Sequence, residues 1–198
     1  MISAKNFNKK YFTSGVYKDY KKLLTEWVGP VAKRISRFLK NKPSAGILDV
    51  GCSFGNLLAE LQNKYHFQVQ GLEYSPYAIR KADPSVRRKI KRGSILDQLF
   101  RKNSFDAVIC FDVICYFSFE ETKKAIQNLV NISRRYIFFS SIYRHSRDAS
   151  QKNNPDHLRK VVLSKKEYIN FFSQKGAKLI KEFYGANGGN ILVFKKKK

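Results

Sequence analysis

The stretch Gly46-Ile47-Leu48-Asp49-Val50-Gly51-Cys52-Ser53-Phe54-Gly55 decides the fold of this 198-residue chain. A short apolar run ends in an acid, two glycines follow four residues apart, and a helix-like segment begins at the second of them. This order predicts a buried parallel strand that runs through a tight loop into the N-terminus of a helix. A loop of this kind lets a ligand approach backbone that carries no side chains.

Strand-like and helix-like segments alternate along most of the chain. Helices are predicted at 16–41, 55–65, from 75, 118–133 and 164–174, and strands at 46–50, 67–72, within 87–92, 105–111 and 136–140. Alternation of this kind indicates a parallel sheet with right-handed crossovers. Two final strands, 177–183 and 190–196, are separated by so few residues that only an antiparallel hairpin can join them. We therefore predict a doubly wound α/β fold whose seven-stranded, mostly parallel sheet ends in an antiparallel hairpin.

The N-terminal part differs from the rest in pattern. Residues 1–15 show no periodicity and are expected to form a flexible arm, and Gly29-Pro30 is expected to break or kink the helix at 16–41. No Gly-, Pro- or Ser-rich linker marks a second domain. The expected division is an N-terminal arm and helical lid over 1–42, and one compact ligand-binding unit over 43–198.

Composition narrows the classes of protein that the chain can belong to. No apolar run approaches the roughly 20 residues of a membrane span, and the first ten residues lack the apolar core of a signal peptide. Three cysteines without a CxxC pair predict neither a disulfide framework nor a metal site, so we expect a reducing, cytoplasmic compartment. The net charge of +24 predicts non-specific affinity for nucleic acid, although the basic residues are spread along the chain without a recognition motif.

A second acid completes the candidate pocket. Glu73 ends the next apolar run, 22 residues beyond Gly51, where its carboxylate can accept hydrogen bonds from two ribose hydroxyls. Together with the glycine loop it predicts a pocket for an adenosine-containing cofactor. A dinucleotide fingerprint that starts at Gly51 would need glycines where the chain has Ser53 and Asn56, and no Gly-Lys-Ser/Thr follows to form a phosphate-binding loop.

From Asp49 to Gly55 the chain resembles the first motif of the class I S-adenosylmethionine-dependent methyltransferases, an acid followed by x-Gly-x-Gly-x-Gly, with Ser53 in place of the middle glycine. The run Asn103-Ser104-Phe105-Asp106 is similar to the family's entry into its fourth strand. The resemblance covers residues 11–196 in element order and implies the Rossmann-like methyltransferase fold, with S-adenosylmethionine as cofactor.

The resemblance also implies roles for individual residues. The glycines and the loop between them would approach the methionine and ribose parts of the cofactor, Asp49 would help to hold its amino group, and Glu73 its ribose. Adenine would be held by Ser94, by the Ile95 amide or by Asp97. The cofactor-binding residues predicted in this way are Tyr11, Tyr17, Asp49, Gly51, Cys52, Ser53, Gly55, Glu73, Ser94, Ile95 and Asp112.

Two tyrosines and two histidines complete the candidates. The stretch 11–20 is similar to a tyrosine-rich lid in which a tyrosine reaches the cofactor carboxylate, and packing of Tyr11 and Tyr17 onto the sheet is the alternative. For catalysis, His145 and His157 fall in the long loop after the fifth strand, on the ligand side of an open α/β sheet, with solvated loop histidines as the alternative.

The sequence predicts methyl transfer to a small-molecule acceptor by in-line displacement. An RNA or protein methyltransferase, and a non-catalytic cofactor- or RNA-binding module on the same fold, remain the alternatives. The Asn-Pro-Pro-Tyr-type signature of amino-group nucleic-acid methylation is absent, since Phe111-Asp112-Val113-Ile114 stands in its place.

Overall fold

A computed structural model describes residues 2–14, 17–18, 20–40, 42, 44–143, 156–160, 163–184 and 190–197. It contains the predicted α/β architecture. The strands are β1 (Gly46–Val50), β2 (Gln68–Glu73), β3 (Ile90–Arg92), β4 (Phe105–Phe111), β5 (Ser133–Ser140), β6 (Ala177–Tyr184) and β7 (Asn190–Lys196). The helices are α1 (Lys9–Thr13), α2 (Tyr20–Leu39), α3 (Asn56–Tyr65), α4 (Pro76–Arg80), α5 (Phe119–Ile132) and α6 (Lys165–Gln174).

All seven strands form one sheet in the order β3-β2-β1-β4-β5-β7-β6. Strands β1 to β5 pair in parallel, and β7 pairs antiparallel with both β5 and β6, as the sequence predicted. The order reverses between β1 and β4, and ligands bind outside the carboxyl ends of the strands at such a switch point. The glycine loop after β1 therefore lies where a ligand site is expected.

Helix ends follow local chemistry that the sequence carries. Ser75 accepts a hydrogen bond from the Ala78 amide at the start of α4, with Pro76 in the first turn. Ser118 and Ser164 each begin a helix with a capping box, in which the carboxylates of Glu121 and Glu167 accept from the backbone amides of these serines. These short-range interactions explain why these helices begin where the sequence predicted.

The core lies on both faces of the sheet. On one face α2 and α3 pack through fully buried side chains such as Ile35, Leu58 and Leu61 against β1, β2 and β4. On the other face α5 and α6 pack through Leu129 and Phe172. Burial on both faces is what a parallel sheet requires, and it explains the continuous apolar runs of β1 and β4.

The expected flexible arm and the expected helix break at Gly29-Pro30 were both wrong. Residues 4–6 and α1 are helical, and Phe12 is buried against Phe54 and Tyr77, so this stretch is not a flexible arm. The helix α2 also continues through Pro30. Val31, Ile35 and Leu39 of this helix are buried, and the burial of such side chains outweighs the roughly 3 kcal/mol that an interior proline costs a helix.

Three further findings concern composition. No helix within the described ranges is long and apolar enough to cross a membrane. Cys52, Cys110 and Cys115 are free thiols and all are buried. In the same part of the chain no group of three or more His, Cys, Asp or Glu side chains is placed to hold a metal ion.

Candidate functional site

The glycine loop after β1 turns through three residues in the left-handed region. Gly51, Ser53 and Gly55 have φ angles of 75°, 51° and 73°. The Gly51 amide donates to the Leu72 carbonyl over 2.7 Å, which ties the loop to the carboxyl end of β2. The two glycines adopt this conformation freely, whereas Ser53 adopts it at a cost because its Cβ crowds the backbone.

Replacing Ser53 by glycine should stabilise the fold. The change removes the left-handed strain of Ser53, and it removes a buried hydroxyl that has no hydrogen-bond partner among the described residues. Against this stands the larger entropy of glycine in the unfolded chain, roughly 0.4–1 kcal/mol. We expect a net gain of about 1 kcal/mol in the free energy of unfolding, measured by urea denaturation of the cofactor-free protein. A Ser53→Gly protein less stable than the parent would contradict the assigned strain.

Glu73, the last residue of β2, binds the backbone of the glycine loop through its carboxylate. It is buried, and its two oxygens accept from the amides of Ser53 and Ser75, each over 2.7 Å. Burial raises the pKa of Glu73, and the backbone donors oppose that rise. Each carboxylate oxygen can accept a second hydrogen bond, so the group is able to serve the loop and a ligand hydroxyl together.

Asp49 lies beside Glu73, on the neighbouring strand. It is buried, and burial together with the charge of Glu73 raises its pKa from 3.8 to about 8. The ion pairs of the described residues do not include either acid. Two buried acids of like charge are costly unless a cation joins them. The pair is therefore suited to a ligand that brings positive charge.

Other polar groups of the loop support the same conclusion. Ser53 Oγ and Asn56 Oδ1 are buried and have no hydrogen-bond partner among the described residues, as is common where a ligand completes a site. The Cys52 thiol packs instead against Gly71, where an added Cβ would lie 2.6 Å from its sulfur. The site thus offers two carboxylates, a hydroxyl and an amide oxygen, which fit the amino group, the sulfonium and the ribose of S-adenosylmethionine.

The segment after β3 is the third part of the site. Ser94 is buried, its hydroxyl accepts from the Leu96 amide, and its own amide donates to Asp97. The Ile95 carbonyl accepts from Asn128. Asp97 is therefore used to close its own loop, whereas the Ser94 hydroxyl proton is still available to a ligand. Ser94, the Ile95 amide and Asp97 all remain predicted candidates for adenine.

Asp112 stands at the carboxyl end of β4, next to the glycine loop. Its φ is 55°, its side chain is exposed, and Ser140 donates to its carboxylate over 3.1 Å. Its neighbour Val113 lies against Gly51. A non-glycine residue held in the left-handed region is a frequent feature of functional sites. The position places an exposed carboxylate at the switch point of the sheet.

Three tyrosine hydroxyls converge on one carboxylate oxygen above this edge. Tyr11, Tyr17 and Tyr116 donate to Asp156 Oδ2 over 3.2, 3.0 and 2.8 Å. Arg159 joins them with its Nε 3.3 Å from the same oxygen and a second nitrogen 2.7 Å from the Tyr17 hydroxyl. Burial raises the pKa of all three tyrosines, so they remain hydrogen-bond donors. We call these five residues the tyrosine cluster.

The tyrosine cluster holds the N-terminal residues over the cleft. Phe7 packs edge-on against Tyr11, Tyr74 and Tyr116, and its carbonyl accepts from the Ser75 hydroxyl over 2.5 Å. The N-terminal residues therefore lie against the ligand side of the sheet, and their role as a lid stays a prediction. Tyr11 and Tyr17, predicted to reach the cofactor carboxylate, contact Asp156 in this structure.

The two histidines predicted for catalysis have different outcomes. His157 is exposed in the turn that follows Asp156, and Asp156, not His157, belongs to the tyrosine cluster. His145 lies outside the described residues. A catalytic role for either remains a prediction.

Sequence analysis missed four residues of this region: Asn56, Tyr116, Asp156 as the acceptor of the cluster, and Arg159. The cluster joins residues separated by up to 145 positions, so no local pattern could indicate it. A tyrosine five residues after β4, the strand that borders the switch point, was the one available signal.

Removal of the Asp156 carboxylate should release the N-terminal segment. An Asp156→Ala variant loses the shared acceptor and leaves Arg159 without its buried partner, which typically costs about 3–5 kcal/mol. We expect at least tenfold faster amide hydrogen exchange in residues 9–13, measured by mass spectrometry. His157→Ala is the matched control, because it changes the exposed neighbour. Equal protection of residues 9–13 in both variants would contradict the structural role of the cluster.

Comparison with known proteins was made by sequence and by structure. Residues 47–135 match the methyltransferase domain family. Botryococcene C-methyltransferase of Botryococcus braunii is 25% identical over 133 residues, which cover 64% of this chain and 35% of that protein. The chain spans less than half the length of the curated relatives that it matches.

Solved structures agree over nearly the whole chain. A methyltransferase in complex with the Trm112 activator of Haloferax volcanii has a TM-score of 0.75 at 14% identity, covering 96% of this chain and 99% of that chain. Magnesium protoporphyrin IX methyltransferase of Synechocystis PCC 6803 with bound S-adenosylhomocysteine has a TM-score of 0.72 at 16% identity, covering 98% and 100%. At these identities the likeness shows a shared fold.

Proposed function

Because residues 47–135 match the methyltransferase domain family, we propose that this chain transfers a methyl group from S-adenosylmethionine to a small-molecule acceptor by in-line displacement. The observation that carries the proposal is the buried pair Asp49 and Glu73 under a left-handed glycine loop. S-adenosylmethionine supplies an activated methyl group when bound, so the protein has to bind, orient and exclude water.

Each part of the site has a task in this proposal. Asp49 would lose its proton when the positively charged amino group of the cofactor lies against it, and would then hold that group. Glu73 and the loop amides would fix the ribose. Asp112, exposed at the end of β4, is placed to accept a proton or a hydrogen bond from the acceptor. Tyr11, Tyr17 and Tyr116 would keep water out, since their raised pKa values leave them protonated donors rather than bases.

The lid favours a small acceptor over a macromolecule. Residues 4–14 cover the ligand edge through Phe7 and the tyrosine cluster, and a covered cleft admits a metabolite more readily than a folded RNA or protein. The named relatives include methyltransferases of botryococcene and of magnesium protoporphyrin IX, which agrees with this view. The division into a lid over 1–42 and a binding unit over 43–198, and a cytoplasmic location, belong to the same proposal.

The decisive experiment measures turnover of S-adenosylmethionine against separate metabolite and RNA pools, with methylated products identified by mass spectrometry. We expect products in the metabolite pool. Methylated RNA alone would replace the proposal by an RNA methyltransferase, and tight cofactor binding without any product would indicate a non-catalytic module.

With the acceptor identified, His157→Ala should lower kcat and leave the affinity for S-adenosylhomocysteine nearly unchanged. His157 borders the tyrosine cluster at the covered edge, so its loss should affect the acceptor rather than the cofactor. Steady-state kinetics and calorimetry measure the two quantities, and His145→Ala should behave alike. Full activity in both variants would remove histidine from the mechanism.

A further inference from the structure

The edge of the sheet opposite the candidate site is strongly basic. Strands β1 to β6 begin at this edge, and β7, which runs in the opposite direction, ends there. The segments at this edge carry cationic side chains that are exposed or half-exposed. We call this set of side chains the basic edge; it consists of Lys42, Lys89, Lys102, Arg134, Lys178 and Lys197.

Hydrogen bonds make the middle of the basic edge continuous. Lys42 and Arg134 both bond Asp106, over 2.7 and 3.0 Å, and Arg134 also donates to the Asn103 carbonyl. Lys196 donates to the Asn103 side chain and to carbonyls at the end of α5. The strands β1, β4, β5 and β7 thus place their cations side by side.

The basic edge continues onto the last strands. The Lys197 amide donates to the Gly176 carbonyl, which brings Lys197 next to the exposed Lys175 and Lys178. Crowding of positive charge is also visible at Lys196, whose pKa is lowered by burial and by the nearby charge of Lys102.

Acidic residues are distributed in the opposite way. Of the described acids, only Asp106 belongs to the segments of the basic edge, and it is buried and paired with two cations. The carboxylates of Asp49, Glu73, Asp112 and Asp156 all lie at the other edge. The basic edge is therefore a surface of positive charge with no exposed carboxylate among its described segments.

The dimensions suit a nucleic-acid backbone. Seven strands at about 4.8 Å spacing give an edge of about 29 Å. A single nucleic-acid strand that follows this edge would place several of its phosphates beside the cations of the basic edge.

A cavity opens at the same edge. It has a volume of about 380 Å³ and is lined by the first residues of three strands together with Lys89. Its polar groups include Gln68, Gln70 and Ser104, which can both donate and accept hydrogen bonds, and Phe105 supplies an aromatic wall. Amides, hydroxyls and an aromatic ring beside a cationic strip are the groups that recognise unpaired bases and ribose hydroxyls.

A membrane surface fits this edge less well. Peripheral membrane binding combines cations with exposed apolar side chains that enter the lipid. The exposed large apolar residues of the described ranges are Phe119, Ile180 and Tyr184, at the start of α5 and in the middle and end of β6. None of them lies in the basic edge.

We propose that the basic edge binds single-stranded RNA and tethers the protein to it, independently of the acceptor that enters the opposite edge. The backbone phosphates occupy the line of cations, and one base enters the cavity beside Lys89. This role does not depend on the methyl-transfer proposal, because the two sites lie at opposite ends of the strands.

The test uses the full chain and a fluorescein-labelled 20-nucleotide oligouridylate, with binding followed by anisotropy from 0.05 to 0.5 M NaCl. One variant carries Lys102→Glu, Lys178→Glu and Lys197→Glu. Its matched control carries Lys22→Glu, Arg80→Glu and Lys124→Glu, which are equally exposed and change the net charge by the same amount. Thermal unfolding and calorimetry with S-adenosylhomocysteine establish that both variants are folded.

Loss of three phosphate contacts should lower the slope of log K against log salt by about 2 in magnitude, and the affinity at 0.1 M NaCl by about 100-fold. The control should stay within threefold of the parent. Equal losses in both variants would show diffuse charge and overturn the proposal. Tighter binding to vesicles of 30% phosphatidylserine, or to DNA of the same length, would equally overturn the assignment to RNA.

Discussion

Replacement of Gly51 by alanine should abolish cofactor binding and destabilise the protein by about 2–5 kcal/mol. An added Cβ at Gly51 would lie 2.2 Å from Val113 Cγ2, far inside van der Waals contact, and the φ of 75° disfavours any side chain. Either the glycine loop or the segment after β4 must move, and both border the site. A displacement of about 1 Å at such a position can cost about 100-fold in function.

The chain offers a matched control for this prediction. Gly176 has a φ of 86°, but an added Cβ there meets nothing within 4 Å, so Gly176→Ala carries the conformational strain without the collision. We expect Gly176→Ala to cost about 1–2 kcal/mol and to bind S-adenosylhomocysteine like the parent. Calorimetry at a temperature where both variants are folded makes the comparison. A Gly51→Ala protein whose affinity is within threefold of the parent would show that the loop does not form the cofactor site.

The second large effect concerns Asp49. Its pKa in the folded protein is about 8, against 3.8 as the ordinary value. Between these values the folded state binds a proton that the unfolded state has lost, so folding stability falls as the pH rises through this window. At about 1.4 kcal/mol per pH unit, the loss between pH 5 and pH 8 amounts to at most about 4 kcal/mol.

An Asp49→Asn variant should escape this loss. Asparagine is nearly isosteric and does not titrate, so the difference in unfolding free energy between variant and parent should grow in favour of the variant from pH 5 to pH 8. Urea denaturation at three pH values measures this difference, in which the contributions of groups distant from Asp49 and Glu73 cancel. A difference that does not depend on pH would mean that Asp49 is not held protonated by burial and Glu73.

The same variant should bind the cofactor at least 30-fold more weakly, because it lacks the charge that would hold the amino group. Binding of S-adenosylhomocysteine to the parent at pH 7 should release close to one proton from Asp49, measured by calorimetry in buffers of different ionisation enthalpy. Asp49→Asn should show no such release. Stabilisation together with lost affinity is the usual trade-off when a binding site contains buried charge.

The sequence by itself determined the framework and the position of the site. An apolar run, an acid and two glycines in 46–55 predict a strand, a tight loop and a helix, because each of these depends on neighbours within a few residues. The same holds for the capped helices and for the hairpin of β6 and β7. Local interactions of this kind have a spacing that can be read from one chain.

Only the tertiary structure decided how the polar groups are used. Burial of Asp49 and its approach to Glu73, which together raise the pKa of Asp49, follow from the pairing of β1 with its neighbours in the sheet. The tyrosine cluster joins α1, the segment after β4 and the loop after β5, and the burial of Phe12 orders residues predicted to be flexible. The basic edge likewise gathers cations that are scattered along the sequence. Contacts between residues so far apart leave no period in the sequence, and they exist only once the sheet has brought the strand ends together.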